Sequence, residues 1–186
     1  KIPDPGKVLA YAIDDRGNEL GTIEVKLEEQ ESADLATAFV HQHMPVAVDA
    51  EQKWDQAFAE ARQSDKQVWA RICQRYCGPC FLLARWMDDH RELLAKDFVL
   101  LKIDDVRDEN GFEVANRLTR GKQHGVPFHA IYDSNESMLI DSAGKFGNIG
   151  NPSGYEGKKH LRKMLEAGCK RLTAAEIDQL VDSVED

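Results

Sequence analysis

Cys77 and Cys80 are three positions apart, directly after a strand-like run and directly before a helix-like one, and no other residues in the chain are so well placed to do chemistry. The preceding run, Gln67-Val68-Trp69-Ala70-Arg71-Ile72-Cys73, is short and rich in β-branched and aromatic residues. Polar residues bound it at Ser64-Asp65-Lys66 and Gln74-Arg75, so it reads as one buried strand. The following run spaces Leu82, Leu83, Trp86, Met87, Leu93 and Leu94 near the 3.6-residue period, with charged residues between them, and reads as one amphipathic helix. Cys77 therefore falls at a helix N-terminus, where unpaired backbone N–H groups and the positive end of the macrodipole favour thiolate over thiol. A free thiol has a pKa of about 8.5, and such settings lower it to about 3.5 to 7.5. The first cysteine then becomes the nucleophile and Cys80 the resolving thiol. Gly78 and Pro79 suit a tight entry, because a proline in the first helical turn has no N–H partner to lose.

Taken alone, the pair is also compatible with two structural cysteines or half of a zinc site. With Cys73 it makes a C-x3-C-x2-C spacing, which is also that of the radical-SAM iron–sulfur motif, so metal or cluster binding by Cys73, Cys77 and Cys80 stands as a minor alternative. That family uses a far larger barrel than this chain supplies.

Two features point elsewhere. Tyr76-Cys77-Gly78-Pro79-Cys80 resembles the thioredoxin active-site motif, and Gly125-Val126-Pro127 stands where those proteins carry a hydrophobic residue and a cis-proline at the start of a strand facing the cysteines. The resemblance spans about Ala50 to Gly168. It implies an α/β thioredoxin-like fold with a central mixed sheet flanked by helices, and a thiol–disulfide oxidoreductase acting on protein thiols or disulfides without a cofactor. It also implies substrate contacts from Tyr76, Gly78, Pro79, Val126 and Pro127. A non-catalytic thioredoxin-fold binding module is the alternative.

The chain departs from the pattern at four positions. Thioredoxins proper have an Asp six residues before the first cysteine, where Arg71 stands here, and a helix-kinking proline five residues after the second, where Arg85 stands. Cys73 and Tyr76 occupy positions usually held by Trp. Arg71 and Cys73 are thus the residues expected to modulate the pair, and the changes point to a specialised relative among bacterial extracytoplasmic thioredoxin-like domains.

Composition narrows the setting. The chain has 186 residues, 42% of them hydrophobic, which is enough for one full core and an extension. A net charge of -9 argues against nucleic acid or an anionic membrane as partner. No apolar run reaches membrane-spanning length, so no membrane insertion is expected and the protein is expected to be a monomer. The start at Lys1, without Met, is compatible with a removed signal peptide; a periplasmic or secreted home is expected, with the cytoplasm as alternative.

Along the chain, Lys7 to Ile13 and Gly21 to Leu27 read as a hairpin and Ala33 to Val40 as a helix, giving an extension over residues 1–45. His41 and His43, with no nearby carboxylate or thiol, read as surface residues. Residues 46–170 make the thioredoxin-like domain in the order helix, strand, helix, strand, helix, strand pair, helix. Trp54, Phe58 and Ala61 share one helical face, Phe98 to Ile103 is a strand covered on both sides, and Phe112, Ala115 and Leu118 mark a helix that Gly121 closes. Gly144 to Gly157, with five glycines and one proline, reads as a mobile loop. Residues 171–186 form a C-terminal helix opened by a Thr173/Glu176 capping box, and Cys169 has no visible partner.

One outcome follows from the helix-start position alone. In the reduced protein, alkylation followed by mass mapping across pH should label Cys77 first; faster modification of Cys80 or Cys169 below neutrality would reverse the assigned roles.

Overall fold

A computed structural model describes residues 7–13, 19–26, 48–74 and 77–185. The chain forms two compact units, Lys1–Val46 and Ala47–Asp186. In the first, β1 (Lys7–Ile13) pairs antiparallel with β2 (Glu19–Lys26), and Lys7 lies opposite Lys26. The expected helix over 33–40, the two histidines at 41 and 43, and Tyr76 lie outside the described residues.

The second unit is built on a four-stranded sheet in the order β4-β3-β5-β6, where β3 is Gln67–Ile72, β4 Phe98–Ile103, β5 Phe128–Tyr132 and β6 Met138–Asp141. β4 runs parallel to β3, whereas β5 is antiparallel to β3 and β6 to β5. All six residues of β3 are buried. Its alternation sends Val68, Ala70 and Ile72 to one face and Trp69 to the other, as the two-residue period requires.

On the first face lie α1 (Ala50–Ser64), which contributes Trp54, Phe58 and Ala61, and α4 (Gly111–Leu118). The α1 helix starts where the Asp49 carboxylate accepts from the Glu51 N–H at 2.9 Å, and it stops at Asp65, whose φ is 52°. On the second face lie α2 (Gly78–Asp89), α5 (Gly154–Gly168) and α6 (Ala174–Asp182), packing Leu83, Met87, Leu161, Leu165, Leu180 and Val181 around Trp69. The short α3 (Arg91–Leu94) completes the crossover from β3 to β4.

Several readings of the sequence change here. The single helix expected through Leu94 is broken at His90, whose φ of -112° and ψ of 19° are not helical; Leu82 falls outside the apolar stripe and is exposed. No proline interrupts α2 at Arg85, which instead pairs with Asp89 on the surface. Phe112 points outward at 68% exposure, because α4 turns Gly111, Val114, Ala115 and Leu118 inward. Gly111 explains that orientation: a Cβ there would run into the Asp104 carbonyl oxygen, so only glycine lets the helix start so close to the end of β4. The helix closes through left-handed Arg120 and Gly121, with the Gly121 N–H donating to the Asn116 carbonyl at 2.8 Å.

The stretch read as a mobile loop folds back on itself as a small hairpin, β7 (Ala143–Gly144) with β8 (Gly147–Asn148). Side-chain bonds hold it, since the Ser142 hydroxyl donates to Asn148 Oδ1 at 2.7 Å and accepts from the His129 N–H at 3.0 Å.

The C-terminal helix lies within the second unit. Thr173 and Glu176 form the capping box, and Ile177, Leu180, Val181 and Val184 are buried in the second core. What fastens it is Asp97, fully buried at the start of β4, whose carboxylate accepts from the Arg171 N–H at 2.9 Å and the Leu172 N–H at 2.8 Å. The Arg171 guanidinium approaches the same carboxylate at 3.6 Å.

Removing that carboxylate strands two backbone donors and loosens α6. Asp97→Ala should therefore lower stability by about 3 kcal/mol, read from urea unfolding. A loss below about 1 kcal/mol would show that water replaces the carboxylate freely.

Candidate active site

The cysteine pair lies at the start of α2, and the end of β3 delivers it there. Cys77 is the N-cap residue, with φ -95° and ψ 98°, and its Sγ accepts from the Cys80 N–H at 3.1 Å. The two residues are joined as a disulfide with their Cα atoms 5.2 Å apart. Pro79 occupies the first helical turn, and Gly78 has open space around it. Exposure is asymmetric: Cys77 is half-buried, whereas Cys80 is 4% exposed. An incoming sulfur can reach Cys77 and not Cys80.

β3 and β5 are antiparallel neighbours, with Ile72 opposite Phe128, so the end of one strand lies beside the start of the other. This register brings Val126-Pro127 to the disulfide. The peptide between them is cis, and the Val126 carbonyl oxygen lies 3.4 Å from Cys77 Sγ. In the disulfide this is a contact; a thiol at Cys77 would make it a hydrogen bond. Gly78 and Pro79 follow Cys77 directly in the chain, and the Val126 carbonyl, next to Pro127, faces its sulfur.

The thioredoxin-like family model matches residues 49–134, which include both cysteines and Val126-Pro127. The fold is thioredoxin-like. Solved structures with similarity include the disulphide isomerase from Xylella fastidiosa Temecula1, at 21% identity over 50% of this chain and 73% of that one, with a TM-score of 0.46. Thioredoxin O2 from Arabidopsis thaliana in its oxidised state is 18% identical over 65% and 90% of the two chains, with a TM-score of 0.42. A poplar thioredoxin h is 20% identical over 52% and 80%, with a TM-score of 0.40. No curated protein matches the chain.

Two residues behind the cysteine pair call for comment. A guanidinium on the covered face of β3 should find a carboxylate or reach solvent. Arg71 does neither. It is 8% exposed, one terminal nitrogen donates to Met87 Sδ at 3.1 Å, and its Nε is buried without a partner. Cys73 is buried, and burial pushes its thiol pKa up despite the nearby charges of Arg71 and Lys102. Nor does it join the pair as a ligand: Cys77 and Cys80 are bonded to each other, and among the described residues no three His, Cys, Asp or Glu side chains converge on a metal position. Cys169 is half-buried beside Asp97; burial foremost, then the carboxylate's charge and hydrogen bond, push its pKa up to about 12.

Reading the sequence alone misses the polar residues that hold the proline turn. His129 opposes Arg71 across the sheet, accepts at Nδ1 from Trp69 Nε1–H at 3.1 Å, and its Nε2 lies 3.0 Å from the Gly150 carbonyl. The Trp donor fixes Nδ1 as acceptor, so Nε2 carries the proton and donates to Gly150. Asn148 donates from Nδ2 to the carbonyls of Gly125, at 2.6 Å, and Pro127, at 2.9 Å. The only sequence signal for this bracket is the glycine-rich stretch itself, in which an Asn between glycines suits a turn.

Burial lowers the His129 pKa from 6.5 to about 4, with the charge of Arg71 adding to the effect and the Gly150 bond opposing it. Between those values the unfolded chain holds a proton that the folded chain rejects, so the contribution is complete above pH 6.5 and is lost as pH falls toward 4. Stability should drop by up to about 1.4 kcal/mol per pH unit in that window, and His129→Gln should flatten the slope between pH 7 and pH 5. Equal slopes in denaturant unfolding of both proteins would contradict this.

Proposed function

We propose that the protein is a thiol–disulfide oxidoreductase acting on protein thiols or disulfides through Cys77 and Cys80. The observation that carries the reading is the disulfide at the start of α2, with one sulfur accessible and the other covered. The thioredoxin-like fold supports it. In the reductive direction the Cys77 thiolate attacks a substrate disulfide, forming a mixed disulfide and expelling one substrate thiolate. Cys80, deprotonated, then attacks Cys77 Sγ; the Cys77–Cys80 bond forms, the mixed disulfide breaks, and the second substrate sulfur leaves as thiolate and takes up a proton. Two electrons pass from the pair to the substrate, and the oxidative direction reverses each step. The Cys80 N–H aimed at Cys77 Sγ, together with the helix N-terminus, stabilises negative charge there. The backbone at Val126-Pro127 offers a polar edge to an extended substrate segment.

Reduction of insulin disulfides by the dithiothreitol-fed protein tests this. Cys77→Ser should abolish turnover, and Cys80→Ser should accumulate a mixed disulfide at Cys77 visible by intact mass. Cys73→Ser and Cys169→Ser should keep turnover. If wild type fails to exchange with both insulin and glutathione, the function is wrong. Equilibration with glutathione mixtures gives the potential and hence the physiological direction.

A further inference from the structure

We propose that the crevice between the β7–β8 hairpin and the start of α5 is a subsite for acidic side chains on the polypeptide whose cysteine reacts at Cys77. The proposal rests on the oxidoreductase reading. The crevice has a volume of about 310 Å³, and its charged walls are Lys145, Lys159, Lys163 and the single acid Glu156. In a chain with a net charge of -9 this is a local excess of positive charge. Elsewhere Lys53 pairs with Asp108, Lys96 with Glu176 and Lys170 with Asp65. None of the three crevice lysines has a carboxylate partner among the described residues. Two lie over aromatic rings instead, Lys145 over Phe146 at 5.2 Å and Lys159 over Tyr155 at 5.5 Å, and both rings are three-quarters exposed. Cation–π contact holds an ammonium in place without removing its charge.

The helical spacing gathers the rest. Glu156, Lys159, His160 and Lys163 recur at three and four residues on one stripe of α5. The His160 Nε2 lies 2.8 Å from the Asp141 carbonyl, which fixes the ring as a wall of the crevice. Ser153, the N-cap residue and a wall of the crevice, makes no capping hydrogen bond from its side chain. The positive end of the α5 macrodipole therefore adds to the lysines.

Asn148 ties the crevice to the reactive sulfur. It lines the crevice and its amide donates to the carbonyls of Gly125 and Pro127, while the adjacent Val126 carbonyl touches Cys77 Sγ. A substrate segment running extended past Val126-Pro127 advances about 3.3 Å per residue, so side chains a few positions from the reacting cysteine pass alongside the hairpin that carries Lys145. The occupant is thus a polypeptide with Asp or Glu at that distance from its cysteine, since a free anion would gain nothing from adjacency to the proline turn.

The test uses disulfide-containing model peptides that differ only in having Asp/Glu, Gln or Lys at those positions, reacted with the reduced full chain. The acidic peptide should react about tenfold faster than the neutral one at low ionic strength, with the advantage collapsing near about 0.5 M salt. Combined Lys145→Gln, Lys159→Gln and Lys163→Gln substitution should remove the preference while exchange with dithiothreitol stays unchanged. Equal rates for all peptides, or a preference that survives in the triple variant, would overturn the subsite and leave the oxidoreductase reading intact. If neither peptides nor dithiothreitol exchange, that reading fails, and binding of a cysteine-free acidic peptide to Cys77→Ser/Cys80→Ser protein, followed by amide shifts at residues 145–163, decides the subsite by itself. Shifts confirm it and their absence refutes it. Inorganic phosphate competing as well as the peptide would assign the crevice to small anions and also refute it.

Discussion

Burial of β3 on both faces is the constraint from which the rest of the second unit follows. A strand with no solvent-facing side needs helices above and below the sheet and neighbours at both edges. The parallel neighbour β4 demands a crossover, supplied by α2 and α3, and the crossover's first residue is where the chain emerges from the sheet. Cys77 caps the first helix of that crossover, five residues after β3 ends at Ile72. The antiparallel neighbour β5 brings the proline turn to the same end. The placing of the cysteine pair and of its facing backbone at one end of the sheet therefore follows from one strand's two pairings.

Much of this was legible in the sequence because the signals were local. The β-branched run before Cys77, the continuous apolar run Phe98 to Ile103 and the Thr173/Glu176 box each specify their element by short-range physics, and each forms as read. Boundaries and faces were less legible. Leu82 and Phe112 fit an apolar period yet point to solvent, because the choice of inward face is made by close backbone approach at Gly111 and by the break at His90. The bracket of Asn148, Ser142 and His129 was invisible, since it joins residues far apart in the chain whose types carry no short-range signature.

Polar groups carry much of the specificity in this otherwise apolar layer. Asp97 anchors α6, His129 bridges Trp69 to Gly150, and Asn148 braces the proline turn, each with its partners satisfied. Arg71 differs, as do Gln67 and Asp105, each of which buries one atom without a partner among the described residues. A permanently charged group with an unpaired nitrogen in a sealed layer opposes folding, and a Met or Leu of similar reach would be expected to fit the seam at lower cost. A guanidinium keeps its charge across the whole range in which thiols titrate, so the electrostatic background on that face of β3 is the same at every physiological pH. An Asp at the same position would instead gain and lose a proton.

The absence of a side chain at Gly168 also reaches further than its own position. A Cβ there would come within 2.9 Å of both Ile131 and Phe98, so α5 rests on the sheet with no slack at its last residue. The helix is 15 residues long, about 22 Å from end to end, and the lysine-lined crevice runs along it from the N-cap Ser153 to Lys163. A rigid rod pinned at one end acts as a lever. A wedge under Gly168 that tilted the helix by a few degrees would move the crevice walls near its first turn by on the order of an ångström, so a residue outside the crevice influences its width.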